Sequence, residues 1–143
     1  MANRRDHDHI SASYFRVEIA GVEVGAFTAI DGLELSIDVI EFADGSDLTV
    51  RKRPGRVRYP NIVLRRGYTN SDELWNWIEA GAQGRVERRS GSIILLEEDG
   101  TELSRYNIHE GWPCRWKLGP WDARAAATVI EELEIAVERI ERG

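Results

Sequence analysis

Hydrophobic and polar residues alternate along much of this chain, as they do in β-strands with one buried face. The clearest run has an aliphatic residue at every second position: Leu33, Leu35, Ile37 and Val39. A similar run starts at Phe15, and the turn sequence Glu98-Asp99-Gly100 joins the apolar run 91–96 to the predicted partner strand 102–108. Because short loops of this composition join paired strands, the pattern predicts a mainly β protein.

One segment has helical spacing instead. Trp75 and Trp77 belong to an apolar group that recurs at helical intervals after Ser71, a residue type that caps helix N-termini. Either Gly81 or Gly84 is expected to end the helix, because glycine is typical of helix C-termini. We therefore predict one α-helix over residues 71–80, with Ser71 as its N-cap.

The C-terminal segment fits either a helix or a strand. Six apolar residues form a stripe at helical spacing: Val129, Ile130, Leu133, Ala136, Val137 and Ile140. With a period of two, Leu133, Ile135 and Val137 share one side and glutamates share the other. The residue pattern alone leaves both interpretations open.

Basic residues are concentrated in one segment. Residues 49–66 carry seven of the 19 Lys and Arg residues and no acid, so the rest of the chain sums to 12 − 25 = −13. A turn at Pro54-Gly55 predicts a long hairpin over residues 44–60, too charged to be core. The basic residues expected to project with it are Arg51, Lys52, Arg53, Arg56 and Arg58.

Three interpretations of this basic hairpin remain open. It is a solvated loop, a nucleic-acid-binding element that uses residues 51–66, or a contact between copies of the chain. Nucleic-acid binding has little support, since few aromatic residues are interleaved and the acidic body repels a polyanion. A basic loop that docks on the acidic surface of another copy makes a head-to-tail contact, which generates rings or filaments.

The sequence carries no recognisable catalytic or metal-binding constellation. The only histidines are His7, His9 and His109, and no phosphate-binding loop or nucleophile motif is present. Cys114 is the only cysteine, so no intramolecular disulfide forms. Strand alternation places Cys114 on one face with Trp112 and Trp116. We predict a protein that is not an enzyme and binds no metal or cofactor.

Composition is that of one globular domain. The 143 residues have a net charge of −6, 42% hydrophobic residues and 31% charged residues. We predict a flexible N-terminal arm over residues 1–12 and a single domain over residues 13–143. No apolar run has the roughly 18 residues of a membrane span, and no secretory signal is evident, so we expect folding in the cytoplasm without a membrane anchor.

Several short motifs, in this order and spacing, resemble the T4-like tail-tube protein family. The matching pieces are Phe15–Ile19, 21–25, 30–33, 53–62, 65–67, 72–77, 91–100, Trp112-Pro113 and Trp116. The resemblance extends from about residue 14 to residue 142. This family is found in contractile phage tails, R-type pyocins and extracellular contractile injection systems.

The resemblance implies a β-barrel-like fold of two packed antiparallel sheets, with one flanking helix and a projecting hairpin. It also implies that residues 129–137 are extended. Six subunits would close a ring, and stacked rings would form a hollow tube that sheath contraction drives through a target envelope. The implied partners are further copies, sheath subunits, baseplate or tube-initiator proteins, and cargo or DNA in the channel. The particle would assemble from subunits made in the bacterial cytoplasm.

Particular residues acquire expected roles in that setting. The basic hairpin residues would contact neighbouring subunits and rings. Four tryptophans are expected to pack the helix against a sheet or fill the core: Trp75, Trp77, Trp112 and Trp116. Four acids are candidates for the channel wall: Glu34, Asp38, Glu132 and Glu134. A tube-initiator relative that joins the tube to the baseplate is the alternative within the family.

Overall fold

The computed structural model describes residues 14–20, 27–46, 48–69, 71–124 and 129–143. The arm predicted over residues 1–12 lies outside them. The described part contains nine strands and one helix, which confirms the mainly β prediction. In chain order they are β1 Phe15–Ile19, β2 Ala29–Asp31, β3 Ser36–Phe42, β4 Arg51–Arg58, β5 Ile62–Gly67, α1 Glu73–Ala82, β6 Arg89–Leu96, β7 Glu102–Gly119, β8 Ile130–Ala136 and β9 Arg139–Arg142.

Seven of the strands form one curled antiparallel sheet. Its order is β1-β6-β7-β8-β5-β2, and β9 also pairs with β7. The two packed sheets that the family resemblance implied are the two halves of this curled half-barrel. The remaining strands, β3 and β4, form a separate two-stranded hairpin.

The sheet turns its corner along β7, which is 18 residues long. The first half of β7 pairs with β6 and β9, and the second half pairs with β8. Between the halves β7 contains an extra residue, because Arg89 pairs with Gly111 whereas Gly91 pairs with Ile108. Glu110 has a φ of 55° at this point. Such a bulge bends a strand and lets it pass from one sheet to the next.

One face of the curled sheet, together with the helix, encloses the core. Ten buried apolar residues form it: Val17, Ile19, Ile62, Leu64, Leu74, Trp77, Ile93, Ile108, Leu133 and Ile135. In the middle of the sheet, Ile62 pairs with Ile135 and Leu64 pairs with Leu133. These four residues are at most 1% exposed. Alternate residues of each strand therefore fill the core, as the pleat requires.

The C-terminal segment is a strand. Leu133 lies in β8 between Leu64 of β5 and Trp116 of β7, so β8 is hydrogen-bonded on both sides. Pairing on two sides and burial of alternate residues outweigh the helix propensity of this glutamate-rich segment. The extended conformation implied for residues 129–137 is confirmed by β8.

The helix lies two residues later than predicted. Its N-cap residue is Asp72, and the side chain of that residue makes no capping hydrogen bond, so the prediction of Ser71 was wrong. At the other end, the N–H of Arg85 donates to the Ala80 carbonyl and the N–H of Gly84 donates to the Gly81 carbonyl. Gly84 has a φ of 87°, and this combination is a Schellman motif.

The projecting hairpin begins earlier than predicted, and its turn lies elsewhere. β3 pairs with β4, so the chain reverses between residues 43 and 50. Pro54 pairs with Val39 within the ladder, and a bulge follows it. The turn predicted at Pro54-Gly55 was therefore wrong, because that sequence forms a bulge. The predicted half-buried strand around residues 33–39 was also wrong in its burial, since six of the seven residues of β3 are exposed.

Candidate assembly surfaces

The β3–β4 hairpin is the most exposed part of the described chain. Its two strands pack mainly against each other and not against the curled sheet or the helix. Nine of the 14 large hydrophobic residues that are exposed lie between residues 33 and 57. An isolated two-stranded hairpin is marginally stable in water, and contiguous exposed apolar groups mark interaction surfaces. The hairpin is therefore the leading candidate for a contact with another molecule.

The two faces of this hairpin differ in chemistry. One face, here called the apolar face, carries Ile37, Val39, Pro54 and Val57, which oppose one another in the ladder. The other, here called the arginine face, carries Arg51, Arg53, Arg56 and Arg58 beside Ile40 and Phe42. The bulge after Pro54 adds one residue, which keeps the arginines on either side of it on the same face. Gly55 fits there because a Cβ would lie 3.1 Å from Ile40.

Internal contacts hold part of the arginine face in place. The Nε of Arg58 lies 2.8 Å from each carboxylate oxygen of Asp38, and the Arg53 guanidinium lies 5.8 Å from the centre of the Phe42 ring. The hydrogen bond from Arg58 lowers the pKa of Asp38. Lys52 lies opposite Glu41 in the ladder, on the apolar side. The five predicted basic residues therefore divide, with four on one face and Lys52 on the other.

The four candidate channel acids are not brought together. Glu132 and Glu134 lie on the face of the curled sheet that points away from the core, Asp38 lies on the hairpin, and Glu34 lies in the loop before it. Three of them have partners. The Asn61 amide donates to Glu134 at 2.8 Å, and Asp38 is paired as described above.

Glu132 has two partners, Arg65 at 2.7 Å and Arg115 at 2.6 Å. Burial alone would raise the pKa of Glu132, but the hydrogen bonds from these arginines outweigh it and lower the pKa. The outer face of the sheet therefore carries a positive excess at Glu132, where one carboxylate lies between two guanidinium groups.

A buried ion pair lies on the opposite face of the same strands. The Nε of Arg66 donates to Glu131 at 2.7 Å, and both side chains are 2% exposed. The indole N–H of Trp116 donates to the other Glu131 oxygen at 2.9 Å. Glu131 is therefore buried, although it had not been singled out from the sequence. Strand parity could have indicated its burial, because Glu131 shares a side with Leu133 and Ile135.

The tryptophans occupy three different environments. Trp77 is 3% exposed, and its indole donates to the Glu87 carbonyl at 2.9 Å. Trp75 meets Trp116 edge to face, with 4.8 Å between ring centres. Trp112 pairs with Ala136 whereas Trp116 pairs with Leu133, so the two indoles point to opposite faces. Their predicted common face was wrong because a bulge at Cys114 shifts the register.

Neither a metal site nor a membrane-spanning helix emerges from the described residues. They contain no group of three or more His, Cys, Asp or Glu side chains placed to hold a metal ion. None of their helices is long and apolar enough to cross a membrane. The pKa of the Cys114 thiol is raised, first by burial and then by Glu134. A raised pKa reduces the thiolate fraction and with it the reactivity of this cysteine.

The comparison that decides the family covers nearly the whole chain. Residues 11–141 match the family described as T4-like virus tail tube protein gp19. The chain belongs to this tail tube protein family. No curated protein matches the sequence. The members and structural relatives of this tail tube family are structural tube proteins, which agrees with the assembly surfaces described above.

Solved structures of contractile injection systems contain chains similar to this tail tube protein. A chain from the PVC sheath–tube complex in the extended state is 27% identical with a TM-score of 0.86, over 96% of this chain and 93% of the other. A chain from the PVC sheath/tube terminator is 28% identical with a TM-score of 0.87, over 97% and 99%. Hcp1 from Flavobacterium johnsoniae shares the fold, at 22% identity and a TM-score of 0.55, over 89% and 94%.

Proposed function

We propose that this chain is the repeating subunit of the inner tube of a contractile tail or injection system. Six copies close a ring, and the rings stack into a hollow tube inside a contractile sheath on a baseplate. On contraction the tube crosses the target envelope and conducts cargo. The observation that carries this proposal, beside the family, is a hairpin whose apolar face is left exposed by the residues that the structure describes.

The apolar face supplies the free energy of the contact between subunits. Ile37, Val39 and Val57 are between 53% and 63% exposed although they oppose one another in the ladder. Burying apolar surface contributes about 25 cal/mol per Å². A neighbouring copy that covers this face would also stabilise the hairpin, because two strands without further packing are only marginally stable.

The ends of the curled sheet supply the contacts that close the ring. β1 and β2 are the terminal strands of the sheet order among the described strands. Unpaired strand edges are templates for pairing with another chain. An edge from one subunit placed beside an edge of the next continues the sheet, and repetition of this head-to-tail contact closes a ring.

The arginine face supplies charge complementarity between rings. The arginine face carries four arginines and one acid, Asp38, on a chain whose net charge is −6. A hairpin that reaches another subunit therefore brings positive charge to an acidic body. Because salt screens such contacts beyond about 8–10 Å at 0.1–0.15 M, assembly should weaken at high ionic strength.

The outer face of the sheet is the candidate channel wall. Glu132 on this face lies between Arg65 and Arg115, so the wall would carry both signs of charge side by side. Cargo of either sign would then meet weak, short-range fields. Glu34 and Asp38 would lie where the hairpin joins this wall.

Electron microscopy of the concentrated, purified full chain tests the proposal. We expect six-fold rings or hollow tubes from the native sequence. The double variant Val39→Lys/Val57→Lys should stop assembly while leaving the circular dichroism spectrum unchanged, because it charges only the apolar face. Arg124→Glu is the matched control, since Arg124 is 95% exposed on the body. Normal tubes from the Val39/Val57 variant would contradict the role of the apolar face.

The number of copies per particle separates a tube subunit from a tube initiator. A chain similar to this one occurs in the baseplate structure of the anti-feeding prophage, at 20% identity and a TM-score of 0.85. Labelled protein repeated along the tube indicates the subunit. Label at one end only indicates the initiator. Salt-sensitive DNA binding by a persistent monomer would favour a nucleic-acid-binding module over both.

A further inference from the structure

A second feature, remote from the hairpin, has the composition of a binding site. A surface pocket of about 270 Å³ lies between the start of α1 and the ends of β5, β7 and β8. Its lining residues are Tyr68, Ser71, Asp72, Trp75, Trp116 and Glu131. Tyr68 is 49% exposed and Trp75 is 43% exposed, although both are large aromatic residues. Exposed tryptophan and tyrosine around one concavity are typical of binding hot spots.

The charges at this pocket favour a cation. Asp72 occupies the N-cap position of α1, but its carboxylate makes no capping hydrogen bond. This carboxylate is exposed at the pocket. Glu73 in the first turn adds a second negative charge. Together these acids exceed the roughly half positive charge of a helix N-terminus. Glu131 is compensated by Arg66, so it contributes little net charge.

The aromatic rings favour the same kind of ligand. Trp75 and Trp116 meet at 67°, with their centres 4.8 Å apart, and Trp116 is fixed by its hydrogen bond to Glu131. Rings held at such an angle form two walls of a cage. A cation within about 6 Å of a ring centre is attracted by the ring face, most strongly by tryptophan. A planar guanidinium also stacks on aromatic rings.

We propose that this pocket binds a cationic side chain, arginine or lysine, from a second protein that packs against the tube subunit. The aromatic walls would hold the charged group and its alkyl stem, and the Asp72 carboxylate would pair with the charge. The hairpin plays no part in this site. The proposal therefore stands or falls independently of tube formation.

Fluorine NMR of the full chain labelled with 5-fluorotryptophan tests the site. Spectra are recorded below the concentration at which assembly starts, and each signal is assigned with a single Trp→Phe variant. The probe is N-acetyl-arginine amide at constant ionic strength. The matched control is N-acetyl-citrulline amide, which has nearly the same shape without the charge. We expect a saturable shift of the Trp75 and Trp116 signals with the arginine compound, and at least a fivefold smaller shift with citrulline.

Two variants keep the result specific to the pocket. Asp72→Asn should reduce the shift of the Trp116 signal at a given probe concentration at least threefold, and Trp75→Leu should abolish it. Trp112, which points to the opposite face of β7 from Trp116, serves as the control reporter and should not shift. Equal shifts with citrulline, an unchanged response in Asp72→Asn, or no saturable shift would each overturn the proposal. Electron microscopy of Asp72→Asn reports separately on tube formation.

Discussion

The basic segment 49–66 is one run in the sequence but forms two different structures in the fold. In the hairpin, Arg58 pairs with Asp38, and the two side chains are 62% and 38% exposed. In the sheet, Arg66 pairs with Glu131, and both side chains are 2% exposed. An arginine–carboxylate pair is therefore exposed to solvent in the hairpin and buried in the core of the sheet. A charge run in a sequence does not identify one surface, because strand parity and sheet position decide which charges reach solvent.

The largest effect is expected from a variant that breaks the buried Arg66–Glu131 pair. Glu131→Leu leaves the Arg66 guanidinium buried without its partner and removes the acceptor of the Trp116 indole. Breaking a buried pair from one side costs about 3–5 kcal/mol of unfolding free energy. Urea unfolding followed by circular dichroism measures it.

The double variant Arg66→Met/Glu131→Leu is the control for this prediction. Apolar replacement of both partners often restores most of the stability, because no charge is left buried. Asp38→Leu on the hairpin should leave the urea midpoint nearly unchanged. A Glu131→Leu protein that unfolds at the native urea concentration would contradict the structural role of the buried pair.

The second prediction compares matched truncations in the two regions. Leu133→Ala creates a cavity between β5 and β7, where Leu133 is fully buried, and should cost about 2–5 kcal/mol of unfolding free energy. Val39→Ala removes methyl groups from a side chain that is 63% exposed, so the change should stay within about 0.5 kcal/mol. Urea unfolding of the unassembled protein gives both values. Equal losses would mean that the hairpin is packed against the body in solution.

Strand alternation alone predicted much of the body, and it failed where a bulge intervened. β6, the turn after it and the start of β7 were predicted from residue pattern, because local pairing across a short turn needs no distant partner. The bulges at Pro54 and Cys114 were not predicted, because an extra residue in a strand cannot be recognised from the hydrophobic pattern. The bulge at Cys114 inverted the predicted face of Trp116, and the bulge after Pro54 lies where a turn was predicted.

Burial of the candidate surfaces could not be predicted from the sequence. The residues from Leu33 to Val39 alternate as regularly as any core strand, yet β3 is exposed. Alternation indicates that one face of the strand is apolar. It does not indicate whether the same subunit or another molecule buries that face. The pocket beside Trp75 was missed for a related reason: Tyr68 and Trp116 reach it from separate strands.

The third prediction concerns the joint between the hairpin and the body. Gly32 has a φ of 93°, and a Cβ there would lie 2.1 Å from the Asn61 carbonyl oxygen. Gly32→Ala should therefore lose at least about 1–2 kcal/mol of unfolding free energy from left-handed backbone strain. Gly45→Ala is the matched control, because nothing lies within 4 Å of a Cβ at that hairpin position. Similar urea midpoints for both variants would contradict the prediction, because they would show that the backbone at Gly32 shifts and relieves the strain.

The smallest expected effect is on the exposed ion pair of the hairpin. Because Arg58 lowers the pKa of Asp38, this carboxylate adds stability above its unfolded-state pKa and loses that contribution as pH falls through the lower folded-state pKa. Arg58→Gln should raise the pKa of Asp38 toward its ordinary value, measured by ¹³C NMR of the carboxyl carbon. Asp99, whose pKa is lowered by hydrogen bonds from Thr101, is the internal reference and should not change. An unchanged Asp38 titration would show that the pair is broken in solution, which would allow Arg58 to contact another subunit.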